Sequence, residues 1–401
     1  MTGATSFWVG VLAFVLGVTF SVVLHEAGHF VFARRFGMKA TEFFAGFGPR
    51  LWSFRRGETE YGIKWIFLGG YVKILGMTPL ERLDPIDKPR AFYRQKAVRR
   101  AIVLVSGSLI NIVLALVLFM LVVLTLGVPG QGRPTTTVAY VSPCVSAGSA
   151  VCAADAPRSP ASKAGLRAGD VVVSFAGRPV ADWAELEKVI HSSPAGPVMV
   201  VVRRGSSTVT LHADLVRAPR GQGAFFGMSP SVISGPADRL GPVDSARFAG
   251  RAVATVVTDM AKVVVDLPAA LPRLFTRERA ESPGGQVASI IGAGRISGEL
   301  AASGGSWQDG ARSIGLLVAS LNVFVGMLNL IPLLPLDGGH VAVLCYERAR
   351  AAVARRLGRP DPGPVDYARL MPVTAIGMFI LISLGILLIA ADIVNPLNVQ
   401  Q

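Results

Sequence analysis

Apolar residues fall into four long runs along this 401-residue chain, separated by segments that are polar or mixed. The runs cover about residues 7–33, 101–128, 314–336 and 371–391. Each is long enough to cross the roughly 30 Å of hydrocarbon in a bilayer, so the pattern predicts four transmembrane helices. No positive residue precedes the first run and no small-residue cleavage site follows it, so we expect a retained helix there rather than a signal peptide.

Basic residues predict how these helices are oriented. Lys and Arg are frequent between the first and second runs and between the third and fourth, whereas residues 1–6 and 393–401 contain neither. Because positive loops stay in the cytoplasm, both termini are expected outside the cell membrane. An even number of crossings satisfies this arrangement. The four predicted transmembrane helices lie in residues 1–128 and 314–401. Residues 129–313, between the second and third helices, are then expected to be extracytoplasmic.

The predicted extracytoplasmic part is expected to hold one small α+β domain over residues 129–220. Short β-rich runs alternate there with a single helix at 182–192, for which Asp182 is a plausible N-cap. Residues 221–313 are predicted to be a linker. It would contain an amphipathic helix over 246–275 on the outer membrane face and a Gly/Ser-rich loop over 278–306.

Composition agrees with a membrane protein and argues against a nucleic-acid partner. Hydrophobic residues make up 51% of the chain, charged residues 16%, and the mean hydropathy is +0.50. The net charge of +14 is spread over segments that follow apolar runs instead of one polar domain. Three Cys form no disulfide framework and no Cys-based metal pattern, although Cys144 and Cys152 could form a short-loop disulfide on the oxidising side, or stay unpaired.

The first apolar run contains the pattern H-E-x-x-H, which is typical of zinc proteases. His25 and His29 are four positions apart, so on a helix both imidazoles reach one ion, and Glu26 beside them can take a proton from water. Ionisable groups inside a membrane segment are costly and mark function. The pattern predicts a Zn²⁺ site, and a chance occurrence near a helix end is the alternative.

A catalytic zinc normally has three protein ligands and one open position, so a third ligand is expected elsewhere. The third apolar run ends in N-L-I-P-L-L-P-L-D-G-G-H over residues 329–340, where two prolines interrupt the helix. Asp337 follows this break and is the best candidate for an oxygen ligand. A turn aspartate before Gly-Gly is the alternative reading.

Together the two motifs resemble the site-2 protease family of intramembrane metalloproteases, which pairs H-E-x-x-H with N-x-x-P-x-x-x-L-D-G. The layout is similar to the bacterial branch that acts on anti-sigma factors. The resemblance implies hydrolysis of single-span transmembrane substrates already trimmed by an upstream site-1 protease, with the active site toward the cytoplasmic side. It also implies that Asn329 holds the substrate backbone or the oxyanion. Residues 107–111, G-S-L-I-N, resemble the family's G-P-x-x-N without its proline, and place Asn111 on the substrate side.

Two further segments are expected to contact substrate. Residues 43–49 and 65–72 are apolar, aromatic and Gly-rich but too short to span, and we interpret them as re-entrant β-like loops beside the active site. An ordinary hairpin on the cytoplasmic surface is the alternative. Within them, Gly69, Gly70, Tyr71 and Val72 are expected to hold an unwound substrate by strand addition.

Residues 162–170, S-K-A-G-L-R-A-G-D, are similar to a segment of bacterial PDZ domains. The resemblance implies a PDZ-like domain in which Gly165 and Leu166 help hold a peptide, or a domain that filters substrates by size. Two other functions remain open from the sequence. One is a membrane zinc protease that matures peptides or signal sequences, and the other is a non-catalytic scaffold or transporter with a structural metal.

Overall fold

The computed structural model describes the chain except for a set of short segments, namely residues 1–2, 78–80, 82, 129–131, 146–155, 218–222, 234–236, 277–278, 280–286, 303–305, 361, 364, 366 and 398–401. The chain forms two compact units. We call Met1–Gly127 together with Arg239–Gln401 the membrane unit, and Val128–Asp238 the insert domain. The predicted α+β domain, residues 129–220, lies within the insert domain.

In chain order the described α-helices are α1 (Gly3–Arg35), α2 (Ala97–Leu126), α3 (Pro160–Lys163), α4 (Trp183–Ser192), α5 (Pro242–Ala270), α6 (Ile290–Ala302), α7 (Trp307–Asn329), α8 (Asp337–Arg356) and α9 (Tyr367–Val394). The described strands are β1 (Ala40–Arg56), β2 (Thr59–Ile74), β3 (Arg133–Val141), β4 (Val171–Phe175), β5 (Arg178–Pro179), β6 (Gly196–Arg204), β7 (Ser207–Arg217), β8 (Ala224–Phe225) and β9 (Met228–Ile233). Short 3₁₀ turns occur at Lys88–Arg90, Phe92–Arg94 and Leu271–Arg273.

Four of these helices, α1, α2, α7 and α9, are long and apolar enough to cross a membrane. The prediction of four apolar helices is therefore confirmed, while their sidedness stays a prediction. The third ends earlier than expected, at Asn329 instead of residue 336, because the segment with Pro332 and Pro335 cannot continue a helix. It begins at Trp307, where Ser306 and Asp309 form a capping box.

One expectation for the linker is wrong. Residues 290–302 form helix α6, not the Gly/Ser-rich loop expected over 278–306. The glycines of α6 serve helix packing, since a Cβ on Gly298 would lie 2.5 Å from the Phe7 ring of α1. Small residues let two helix backbones approach closely, which local sequence cannot distinguish from loop composition. The amphipathic helix expected over 246–275 is present as α5.

Helix α2 packs against α1, α5, α7 and α8. Glycines allow the closest approaches. A Cβ on Gly28 of α1 would lie 2.9 Å from the Ser106 carbonyl oxygen, and one on Gly326 of α7 would lie 3.0 Å from the Ser108 carbonyl oxygen. Side chains on α1 and α7 are thereby brought against the same stretch of α2.

Strands β1 and β2 form a hairpin that contains both predicted re-entrant pieces. The residues near its turn pair with each other, and Phe43–Ala45 pair with two stretches of β2, one near Tyr61 and one at Gly70–Val72. Among the described residues, the stretch from Gly70 to Ile74 therefore pairs along one side, with the start of β1. Whether the hairpin enters the bilayer stays a prediction.

The insert domain holds an antiparallel sheet of strand order β8-β7-β6-β4-β3-β9, with β5 beside β4. Its core includes the fully buried side chains of Phe175, Leu186, Val200 and Val202. Asp182 caps α4 as expected, because its carboxylate accepts a hydrogen bond from the Glu185 amide at 2.8 Å. Cys144 is buried and disulfide-bonded, whereas Cys152 lies outside the described residues.

Candidate metal centre

Helix α1 presents two imidazoles on one face, as the spacing of the H-E-x-x-H pattern requires. The side chains of His25 and His29 are buried, with 7% of each residue exposed. Their ring centroids are 4.9 Å apart at an interplanar angle of 74°, and their Nε2 atoms are 3.2 Å apart. Two nitrogen atoms suited to metal binding thus converge on one point.

The orientation of His29 is set by a hydrogen bond to α2. Its Nδ1 lies 2.7 Å from the carbonyl oxygen of Val103, which can only accept, so Nδ1 carries the proton and donates. Nε2 is then left with a free lone pair directed at the His25 ring. This is the arrangement by which proteins fix the tautomer of a metal-binding histidine.

Asp337 adds an oxygen atom to the same point from the first turn of α8. Its Oδ2 lies 3.4 Å from Nε2 of His25 and 3.4 Å from Nε2 of His29. The two following glycines are required by close packing, because a Cβ on Gly338 would lie 2.5 Å from the Ile331 carbonyl oxygen and one on Gly339 would lie 2.5 Å from the Leu334 nitrogen. The D-G-G sequence therefore lets α8 begin directly against the proline-containing segment.

The three atoms fit a zinc ion by donor type and by spacing. Zinc is bound by imidazole nitrogen and carboxylate oxygen at about 2.0–2.1 Å in a tetrahedral arrangement, which places neighbouring ligand atoms about 3.3 Å apart. The observed separations of 3.2, 3.4 and 3.4 Å match this spacing. Three protein ligands leave one position open, as in catalytic sites.

Gly107 of α2 leaves the space that an ion would need. A Cβ there would lie 2.7 Å from His25 Nε2 and still closer to His29 Nε2, so any side chain would fill the centre. Sequence reasoning assigned Gly107 no role. The available signal was a glycine inside the Val/Leu/Ile-rich run, where it weakens the helix unless packing or function needs it.

A cavity of about 170 Å³ opens beside the imidazoles, within the membrane unit. It is lined by Val18, Ser21, Val22, His25, Glu26, Gly69, Gly70, Asn111, Leu321, Asn322, Val325 and Asn329. The structure thus brings together the sequence-predicted residues on α1, β2, α2 and α7. Asn329 Nδ2 lies 3.4 Å from His25 Nε2, and a Cβ on Gly70 would lie 3.3 Å from Glu26 Cγ.

Tyr71 and Val72 stand outside the lining of this cavity and border a separate depression with Lys73, Ile74, Met77 and Glu81. The Tyr71 ring stacks on Phe44 at 5.7 Å and its hydroxyl donates to the Glu42 carboxylate at 2.5 Å. Lys64 Nζ lies 4.8 Å from the same ring. The Tyr71 side chain therefore holds the hairpin together, which leaves its backbone as the part available to a substrate.

Gly165 and Leu166 lie in the insert domain. Leu166 belongs to its core, and the Gly165 carbonyl accepts a hydrogen bond from Arg204 Nη2 at 2.9 Å. Arg204 also donates to both oxygens of the buried Asp170 carboxylate, at 2.8 and 2.7 Å. This guanidinium holds the pKa of Asp170 below its usual range. The A-G-L-x-x-G-D segment is thus a turn fixed by one arginine, and a peptide-binding role for its residues stays a prediction.

Known proteins resemble the chain over nearly its whole length. The sequence profile of peptidase family M50 matches residues 13–358. Zinc metalloprotease Rip1 of Mycobacterium tuberculosis is 36% identical over 410 residues, which cover 98% of this chain and 100% of the relative. Rip1 of Mycolicibacterium smegmatis is 34% identical over 419 residues, with coverage of 98% and 100%. A putative zinc metalloprotease of Nostoc is 28% identical over 386 residues, with 95% of each covered.

Proposed function

Because the chain belongs to peptidase family M50 and is a zinc metalloprotease, we propose that it hydrolyses peptide bonds within transmembrane segments of single-span membrane proteins. One observation supports this most directly. Two imidazoles and a carboxylate converge with zinc spacing where helices apolar enough to cross a membrane meet the start of α8. Water-activating groups at such a place are expected to act on substrates that reach them through the bilayer.

We assign each residue a role from its position. His25, His29 and Asp337 hold the metal, and the bond from His29 to the Val103 carbonyl keeps its Nε2 aimed at it. A bound zinc supplies Lewis acidity for the scissile carbonyl and lowers the pKa of water. Glu26, in the cavity wall next to His25, accepts the proton of the attacking water and passes it to the leaving amine.

Asn329 is placed to hold the reacting carbonyl. It follows one turn after Val325 on the cavity face of α7, and its Nδ2 lies 3.4 Å from His25 Nε2. An amide donor at that position stabilises negative charge that develops on the carbonyl oxygen.

The edge of β2 is proposed to hold the unwound substrate. A transmembrane helix pairs its own backbone groups, so its peptide bonds become accessible only after local unwinding frees them. Gly70 lies against Glu26, and the Gly70–Ile74 stretch pairs with β1 along one side. Addition of the substrate to its other side would satisfy the freed groups and present one peptide bond to Glu26.

The substrate class and membrane topology are proposals from the motif layout. We propose anti-sigma factors, trimmed first by a site-1 protease, as substrates, with both termini of the chain extracytoplasmic and the metal centre toward the cytoplasmic side. The insert domain would then stand on the outer side, where it admits or excludes substrates according to the state of their outer part.

The test is a cleavage assay with the full chain in detergent or liposomes and a tagged single-span substrate. Glu26→Gln keeps the shape of the side chain and removes its basicity. We expect at least about a 10³-fold loss of cleavage, since the variant loses the group that transfers the proton. Its zinc content is expected to stay at the wild-type level.

The matched control is Glu187→Gln, which alters a carboxylate on the surface of the insert domain, more than half exposed. It is expected to cleave as the wild type does. If Glu26→Gln retains full cleavage with zinc bound, the proteolytic mechanism proposed for this centre is wrong.

A further inference from the structure

Asn322 on α7 is a buried polar side chain for which the mechanism above has no use. It is 2% exposed, and its Nδ2 donates to the Ser21 hydroxyl at 2.9 Å and to the Val318 carbonyl at 2.8 Å. Because the Ser21 hydroxyl in turn donates to the Gly17 carbonyl, the amide orientation is fixed by two acceptors. Its Oδ1 has no hydrogen-bond partner among the described residues.

Asn111 of α2 carries a second oxygen of this kind, and the residue lines the same cavity. It is also 2% exposed, and its Oδ1 likewise has no partner in the part of the chain that the structure describes. The two side chains are neighbours across the contact of α2 with α7. A Cβ on Gly326 would lie 3.3 Å from Asn111 Cβ, and Gly326 is one helical turn from Asn322.

Buried amide oxygens almost always accept a hydrogen bond. Two such oxygens that lack a donor, both on residues lining one cavity, therefore indicate that a molecule bound there supplies the donors. Apart from Glu26 and His25, the surrounding wall is made of apolar side chains and neutral polar groups. A neutral N–H group is therefore the donor that this surface fits. An unwound peptide carries such groups at every residue other than proline.

We propose that Asn322, together with Asn111, accepts hydrogen bonds from backbone N–H groups of the unwound substrate. This rests on the proposed function, and it makes Asn322 a substrate-binding residue of the same site. It also gives the substrate a second set of partners. The Gly70–Ile74 edge of β2 pairs with one side of the extended segment, and the two asparagines accept hydrogen bonds from N–H groups on another side.

The distance from the metal centre indicates which substrate residue is held. Ser21, the partner of Asn322, lies one turn from His25, about 6 Å along α1. An extended chain covers this distance in about two residues. The N–H group bound by Asn322 is thus expected two or three positions from the scissile bond.

A purely structural role for Asn322, as a bridge between α1 and α7, makes a different prediction. Ser21→Ala removes the bridge and leaves Oδ1 in place, whereas Asn322→Leu removes both. We expect Asn322→Leu to lower kcat/KM about 10-fold at unchanged zinc content, and Ser21→Ala to lower it less than about threefold. Ser320→Ala, a neighbour on α7 whose hydroxyl bonds back to the Leu316 carbonyl, is the matched control.

An ester scan of a synthetic transmembrane substrate tests the bond itself. Each ester replaces one backbone N–H by oxygen and so removes one donor. In the wild type we expect an ester two or three positions from the scissile bond to lower kcat/KM about 10-fold, and in Asn322→Leu the same ester should have little further effect. Equal losses in both enzymes at every position, or an equal loss for Ser21→Ala and Asn322→Leu, would overturn the proposal. Either result leaves the protease mechanism intact, because that depends on Glu26→Gln.

Discussion

Two carboxylates, Asp170 of the insert domain with 1% of its side chain exposed and Asp337 of the membrane unit with 22% exposed, differ in what faces them. Asp170 of the insert domain receives Arg204 on both oxygens and the Arg167 amide at 2.9 Å. Asp337 of the membrane unit faces two imidazole nitrogens at 3.4 Å, and no Lys or Arg pairs with it among the described residues. When a carboxylate is paired with a cationic side chain of the same protein, its charge is already balanced within the fold. One that faces two imidazole nitrogens and is paired with no Lys or Arg among the described residues can receive a cation from outside, which is the property of a metal ligand.

The two units also differ in which side chains they bury and which they expose around these carboxylates. The insert domain buries apolar side chains such as Phe175 and Val200, as a water-facing fold does. The membrane unit exposes Leu12, Leu16 and Phe20 on α1 while its interior holds polar groups of the metal centre and the cavity. The insert domain buries the ion pair Asp170–Arg204, which contributes to stability. The membrane unit buries ion pairs of that kind as well, Arg100–Glu347 and Arg279–Asp392, and in addition holds the imidazoles and the carboxylate of the metal centre.

Replacing each of the two carboxylates by an amide is expected to give the largest difference between the units, measured as zinc content and cleavage. Asp337→Asn removes an anionic ligand, so we expect loss of zinc and at least about a 10³-fold loss of cleavage, with the helices still folded. Asp170→Asn should leave zinc content unchanged and loosen the insert domain instead. Metal analysis and hydrogen exchange on the full chain measure the two effects. Zinc retention by Asp337→Asn would remove Asp337 from the ligand set.

Glycine substitutions sharpen the claim that the membrane unit keeps space for an ion. Gly107→Ala places a methyl group against both Nε2 atoms, so we expect a loss of zinc and of cleavage of about 100-fold or more. Gly250→Ala on α5 is the matched control, because a Cβ there meets no atom within 4 Å. It should bind zinc normally and be slightly more stable, as alanine favours a helix over glycine. Normal zinc binding by Gly107→Ala would mean that the ion lies elsewhere.

Local sequence patterns predicted much of both units. The apolar runs predicted four helices, and the cap at Asp182 and the four-residue spacing of His25 and His29 followed from rules that act over one or two turns. Asp337 became the candidate for the third ligand because two prolines and a glycine pair mark a helix break beside a carboxylate, and the structure places it next to His25 and His29. Each of these features depends on residues close together in the chain.

What the sequence did not predict depends on distant contacts. Helix α6 looked like a loop because its glycines are needed only where other helices pack against it, as Gly298 is against Phe7 of α1 and Gly292 is against Asp392 of α9. Asn322 belongs to no motif, and Gly107 is the first residue of the G-S-L-I-N segment but was given no role; the positions of both matter only once α1, α2 and α7 are packed. A signal existed for Asn322, since a polar side chain within an apolar span is costly, but it did not indicate a partner.

Arg204 offers a way to weaken the insert domain alone. Arg204→Met removes both bonds to a carboxylate that is 1% exposed, so we expect the domain to lose about 2–3 kcal/mol of stability. Arg203→Met, its neighbour on β6, is the control. Hydrogen exchange of β4 and β6 in the full chain reports the loss, while zinc content should stay constant. An unchanged exchange rate would show that Asp170 does not need its own cation.

The smallest effect expected is a pH dependence confined to the insert domain. Arg204 holds the pKa of Asp170 below its unfolded value of about 3.9, so the ionised form is the one that the fold stabilises. The contribution is complete above that unfolded value and is lost as the pH falls through the lower folded one. Exchange protection of β4 and β6, corrected for intrinsic rates, should therefore be constant from about pH 7 to 5 and fall below about pH 4. In Asp170→Asn this acid-induced loss should be smaller, because the group that titrates is gone. A loss of the same size in that variant would assign the acid sensitivity to other groups, and the contrast between the two carboxylates would then lack its electrostatic basis.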